Sequence, residues 1–121
     1  VFPSKFRVFT TSNGSKVLVG KNAESNHELT FSFARPYDIF LHVKNAPGSH
    51  TILRVTDKNK FPPIEDIYEA AYYAAKFSKL KHSKSVSVSY ARKRYVRGAK
   101  GLAKGVVILE REKVVYVNSS D

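Results

Sequence analysis

Tyr37-Asp38-Ile39-Phe40-Leu41-His42-Val43-Lys44-Asn45-Ala46-Pro47-Gly48-Ser49-His50-Thr51-Ile52-Leu53-Arg54-Val55 is the stretch that decides the fold. Tyr37 to Val43 is apolar and extended in character, with Ile39, Leu41 and Val43 on one face. Asn45-Ala46-Pro47-Gly48 is turn chemistry, and Ser49 to Val55 resumes as a strand. The two segments form a central hairpin, which implies antiparallel pairing.

Working toward the N-terminus, Arg7 to Thr11 and Lys16 to Gly20 read as two strands around Ser12-Asn13-Gly14-Ser15, a hairpin turn signal. Ser25 and Glu28 are spaced as a capping box, which starts a short helix through about Phe33. The alternation in Leu29 to Phe33 also fits a strand, and Arg35-Pro36 closes the segment.

Working toward the C-terminus, Asp57 to Phe61 is a polar loop, and Pro62-Pro63 opens the longest helix. Its acids, Glu65, Asp66 and Glu69, lie near the positive end of the helix dipole, and Lys76, Lys79 and Lys81 near the negative end. Ile64, Ile67, Tyr68, Ala71, Ala74 or Ala75, and Ser78 follow helical spacing toward a core. Tyr68, Tyr72 and Tyr73 cannot all face inward, so Tyr72 or Tyr73 covers a sheet edge or meets a partner. Ser85 to Tyr90 alternates as a half-buried strand, valines in and serines out. Arg92 to Lys104 reads as a basic loop, and Gly105–Glu110 with Lys113–Val117 as a closing hairpin turned at Arg111-Glu112. Residues 118–121 are a polar tail, and residues 1–121 read as a single domain. The predicted fold class is α+β, a mostly antiparallel sheet of hairpins with one long and one short helix packed on one face.

Charge narrows the function. Residues 76–104 hold ten Lys and Arg and no Asp or Glu, whereas the rest of the chain holds eleven basic and ten acidic residues. Concentrated positive charge is the footprint of a polyanionic partner. Arg92, Lys93, Arg94, Arg97, Lys100 and Lys104 are the candidate phosphate contacts, joined by Lys84 and by Lys21, and Tyr95 is a candidate stacking residue. Without cysteine the chain has no disulfide, thiolate zinc site or thiol nucleophile. The residues from Val1 match neither a signal nor a transit peptide, no apolar run spans a bilayer, and a cytoplasmic location without membrane association is expected. Asp38, His42, Ser49 and His50 form the one cluster with catalytic residue types. It lacks a nucleophile elbow. His42 and His50 could share a metal only if Asp38 supplied a third ligand. The alternative is that they tie down the hairpin or line a phosphate-binding surface, and no metal or other cofactor is expected.

These residues resemble the NFACT-R domain. The resemblance runs through Gly20-Lys21-Asn22 with Asn26 and Leu29-Thr30, then Asp38-Ile39 with His42, then Pro47-Gly48-Ser49-His50. It continues through the alanine-rich helix to Ser78, Val88, Tyr90, the Lys/Arg/Gly segment and Gly105-Val106. Phe40 occupies a slot where the family commonly carries Trp. The resemblance implies an RNA-facing module, with tRNA, rRNA and the large ribosomal subunit as partners in ribosome-associated quality control. It implies a place at the C-terminal end of longer proteins, although small solo members exist. The tailing of stalled nascent chains belongs to another domain of those proteins and does not carry over. Some bacterial members are labelled fibronectin-binding, which leaves an adhesin as an alternative beside an RNA-modifying or RNA-cleaving enzyme.

Overall fold

The computed structural model describes residues 2–98 and 106–120. Its described strands are β1 (Phe6–Thr10), β2 (Lys16–Gly20), β3 (Ile39–Val43), β4 (Thr51–Leu53), β5 (Val86–Arg92), β6 (Val96–Gly98), β7 (Val107–Leu109) and β8 (Lys113–Val117). Helix α1 (Ala23–Glu28) continues into a π-helical turn, Leu29–Phe33, and α2 spans Ile64–Lys76. Six strands form one sheet in the order β1-β2-β4-β3-β5-β8, with every pairing antiparallel. Leu41 stands opposite Thr51 in the central hairpin and opposite Tyr90 on the other side.

Both faces of this sheet are covered. Val17, Val19, Ile39, Leu41, Leu53, Val86 and Val88 meet Ile67, Ala70, Ala71, Ala74 and Ala75 of α2. On the reverse face Leu18, Phe40 and Ile52 meet Leu29 and Val96, with Phe31 and Phe33 at the margin. The expectation of helices on one face is therefore corrected: α2 and the α1–π segment lie on opposite faces. The cause is legible in Ile39-Phe40-Leu41 and Ile52-Leu53, where unbroken apolar runs mark strands buried on both sides. Burying a side chain such as Phe40, fully inaccessible here, contributes roughly 1.5–3 kcal/mol.

The inward stripe of α2 also differs from the expected one, because Ile64 and Tyr68 are 49% and 45% exposed. Asp66 sets the rotation. It is buried and accepts hydrogen bonds from Ser15 Oγ (2.9 Å) and Asn13 Nδ2 (3.3 Å), which pins the first turn of α2 to the β1–β2 turn. That rotation turns the four alanines to the sheet. Tyr73 stacks on Phe9 of the edge strand at 4.1 Å, so it covers the sheet edge.

Helix α1 is capped by Asn22 rather than Ser25. Ser25 N–H donates to Asn22 Oδ1 (2.8 Å) and Asn22 N–H to Ser25 Oγ (3.0 Å), a capping box one turn earlier than expected. Close packing dictates the earlier start: a Cβ on Gly20 would lie 2.0 Å from Asn26 Oδ1, so only glycine lets α1 cross the end of β2.

Two further expectations fail near the C-terminus. Part of the basic loop is structured, with a 3₁₀ turn at Lys93–Tyr95 and β6, whose Val96 is buried. The closing hairpin does not form, because β7 pairs with β6 and β8 pairs with β5. Arg111 adopts φ 55° between them, a left-handed break that sends the two strands to different partners. The serines of β5 are not simply outward either, since Ser89 is buried and its Oγ donates to the Glu112 carboxylate. In the polar tail, Ser119 is buried and its Oγ donates to the Leu80 carbonyl at 3.0 Å. Among the described residues no helix is long and apolar enough to cross a membrane.

Candidate nucleic-acid interface

The antiparallel register gives the sheet two ends, about 20 Å apart along β5. One end carries Gly20, the His42–His50 turn, Val86 and the last turn of α2; we call it the histidine end. The other carries Asp38, Arg54, Arg92 and the first turn of α2; we call it the arginine end. The predicted site residues divide between them.

At the arginine end most charge is internally committed. Asp38 is inaccessible, pairs with Arg54 at 3.2 Å, and accepts N–H bonds from Arg35 and Val55, both at 2.9 Å. Arg54 also lies over the Phe33 ring at 4.6 Å. Arg92 donates from Nη1 to the Tyr37 carbonyl and from Nη2 to the Lys60 carbonyl (3.2 Å). Lys93 N–H donates to the Asp38 carbonyl (2.7 Å) and Arg94 N–H to the Pro36 carbonyl (2.9 Å), which leaves the Arg94 side chain exposed. Tyr95 is half-buried, and Arg97 on β6 pairs with Glu110 at 3.1 Å. Lys100 and Lys104 lie outside the described residues.

At the histidine end the turn Asn45–Gly48 is stitched down from both sides. His42 Nε2–H donates to the Gly48 carbonyl (3.1 Å). Ser49 N–H donates to Phe77 and Lys79 N–H to Pro47, each at 3.0 Å. Gly48 bridges Ser78, where an added Cβ would lie 2.8 Å from the serine Cβ. Two clefts flank this ridge and share Pro47 and Gly48. One, about 520 Å³, is lined by Ser49, Phe77 and the three lysines Lys76, Lys79 and Lys81, with no carboxylate. The other, about 490 Å³, is lined by the polar side chains of Asn22, Asn26, His42 and His50 and by Val106 and Val107. Among the described residues none of Lys76, Lys79, Lys81 and Lys84 forms an ion pair. Lys21 is exposed and its Nζ donates to the Ser4 carbonyl (2.9 Å).

His42 and His50 do face one another, edge to face, with ring centroids 5.8 Å apart. His50 Nδ1 is hydrogen-bonded to Thr30 Oγ1 (2.7 Å), and the His50 backbone N–H donates to Asn26 Oδ1 (3.1 Å). Burial pulls the His42 imidazole below its ordinary value, outweighing the opposing hydrogen bonds to Val43 and Gly48. Asp38 is not part of this group: it sits at the far end of β3, so Asp38, His42, Ser49 and His50 do not share one site. No three His, Asp or Glu side chains among the described residues come together as a metal site.

Sequence reasoning passed over Lys76, Lys79 and Lys81 as site residues. They were counted in the basic segment but explained by the helix dipole. The signal that points to them is Ser78 against Gly48, a crossing that brings the helix end beside the Pro47–Ser49 turn.

The chain is similar in sequence and in fold to other proteins. Residues 5–111 match the family model described as the NFACT protein RNA binding domain. The chain is 39% identical over 109 residues to the Rqc2 homolog RqcH of Bacillus subtilis (strain 168), covering 90% of this chain and 18% of that protein. It is 35% identical over 115 residues to the Rqc2 homolog RqcH of Streptococcus suis (strain 05ZYH33), covering 95% and 20%. The C-terminal structure of the fibronectin/fibrinogen-binding protein from Streptococcus suis superposes with TM-score 0.87 at 31% identity, over 98% of this chain and 47% of that one. The chain thus spans about a fifth of the length of the curated relatives it matches. Sequence and fold agree, and the chain belongs to the NFACT RNA-binding domain family.

Proposed function

We propose that this chain is the RNA-binding module of a cytoplasmic ribosome quality-control factor, and that it engages structured RNA, either tRNA or rRNA of the large ribosomal subunit. The observation that carries this reading is that Lys76, Lys79 and Lys81 line one cleft beside a rigid turn, with Lys84 exposed on the segment that follows, and that none of the four forms an ion pair among the described residues. Four ammonium groups with no carboxylate among them bind phosphates by releasing condensed counterions, which favours any RNA backbone. The cleft on the other side of the ridge offers hydrogen bonds and apolar wall, without lysine, arginine or carboxylate, to whatever the phosphates bring with them. Lys21 extends the surface, and Lys93, Arg94, Arg97, Lys100 and Lys104 remain candidates for a second line of contacts. Arg92 leaves the list of phosphate forks, because two of its terminal nitrogens are held by carbonyls.

The test is anisotropy titration of labelled tRNA and of large-subunit rRNA fragments from roughly 50 to 200 mM salt. Four phosphate contacts contribute about −3 to −4 to the log–log slope, and changing the four lysines to Gln flattens it by about that amount. An unchanged slope refutes the assignment. The solved neighbour's fibronectin/fibrinogen-binding title supplies the second reading. Tight fibronectin binding at physiological salt, with no RNA binding, would put that reading first.

A further inference from the structure

Phe61 stands in the loop that leads into α2, and 46% of it is exposed. The Arg92 guanidinium lies 4.8 Å from its ring centroid and the Lys113 ammonium 5.4 Å. Carbonyls of Tyr37 and Lys60 hold both terminal nitrogens of Arg92, which fixes its guanidinium beside the Phe61 ring. Nearby, the Arg111 guanidinium lies 4.9 Å from the Tyr95 centroid. Phe61, Tyr90, Arg92, Tyr95, Arg111 and Lys113, with Ala91, line a cleft of about 250 Å³ that contains no carboxylate.

This is different chemistry from the lysine cleft. Free ammonium groups answer to phosphate, whereas alternating rings and cations answer to a flat π system in an anionic chain. We propose that this cleft receives one unpaired RNA base, stacked against Phe61 in the field of Arg92, Lys113 and Arg111. The inference rests on the RNA-binding reading above and adds a preference for unpaired over fully duplex RNA, since a base must leave its helix to stack on a protein ring. An acidic peptide carrying an aromatic residue is the rival ligand. The hydrogen bonds of Arg92 favour the base: its fork is engaged by carbonyls, so a carboxylate finds no bidentate partner in it, while the half-exposed Phe61 ring offers a flat ligand a surface to stack on.

The experiment uses a short RNA containing one 2-aminopurine, whose fluorescence is quenched by stacking, single-stranded or annealed to its complement. The chain is compared with Phe61→Ala, Phe61→Leu and Phe61→Tyr, each checked by thermal melting. The expected result is quenching of the single strand by the chain and by Phe61→Tyr, and none with Phe61→Ala or Phe61→Leu. Affinity for the single strand should fall roughly 5- to 150-fold in the last two, the range seen when one stacking ring is removed. The salt slope should stay as it was, because the lysines are untouched. Single-strand binding with the same quenching in Phe61→Leu overturns the stacking site and leaves the RNA-binding reading standing. No RNA binding by the unchanged chain overturns both. Phe61-dependent binding of an acidic aromatic peptide, with no RNA bound, reassigns the cleft to a protein partner.

Discussion

The two ends of the sheet both carry charged residues and use them in opposite ways. At the arginine end, Asp38, Arg54 and Arg92 are tied to the fold by a buried ion pair, backbone carbonyls and aromatic rings. At the histidine end, the fold is tied by backbone bonds and polar side chains around Gly48, and Lys76, Lys79 and Lys81 line a cleft without an ion pair among the described residues. Charge density along the chain does not separate these cases. What separates them is whether the cation can reach a carbonyl or carboxylate of its own chain. A buried charge is justified only by near-complete pairing, while an exposed lysine keeps its full capacity for phosphate.

This contrast can be broken by substitution, and the arginine end should yield the largest effect. Asp38→Ala leaves the Arg54 charge buried without its counter-ion and orphans the Val55 and Arg35 N–H groups. The expected loss is about 3–5 kcal/mol, read from urea unfolding. If stability changes by less than a tenth of that, the pair is not the anchor described. At the histidine end Gly48→Ala forces a Cβ against Ser78. A loss of about 1–3 kcal/mol follows. Because the ridge carries the lysine cleft, RNA affinity should drop as well; a stability loss without an affinity loss separates the ridge from the interface.

The smallest effect sharpens the role of His42. Its folded-state pKa lies below the ordinary 6.5, so between the two values the unfolded chain binds more protons than the folded one. Stability is therefore full above pH 6.5 and declines as pH falls through the window beneath it, until the folded ring titrates. Replacing His42 with Gln should remove that part of the acid dependence, measured by urea unfolding across pH. An unchanged dependence would place the titrating group elsewhere.

Local chemistry made much of the fold legible. The bounds of β2 follow from Gly20 and the Asn13-Gly14 turn, and α2 from Pro62-Pro63 and its alanines. Features fixed by distant contacts were not legible. Asn22 and Ser25 are both good caps, and only the packing of Asn26 onto Gly20 chooses between them. The segment after Lys113 could pair with its neighbour or with β5, and the left-handed Arg111 decides. For the site, the basic segment stood out in sequence, but its division between two ends came from the length of β5. Phe61 was hidden because a single aromatic in a polar loop announces nothing until Arg92 and Lys113 are found beside it.

The central claim is that RNA phosphates meet the lysines of the histidine end. Backbone amide shift mapping with a structured RNA addresses it most directly. The largest perturbations are expected at Gly48, Ser49, Lys79, Lys81 and Lys84, fading as salt rises. Perturbations centred on the β1–β2 turn, or an RNA that shifts no amide near Gly48, would contradict it.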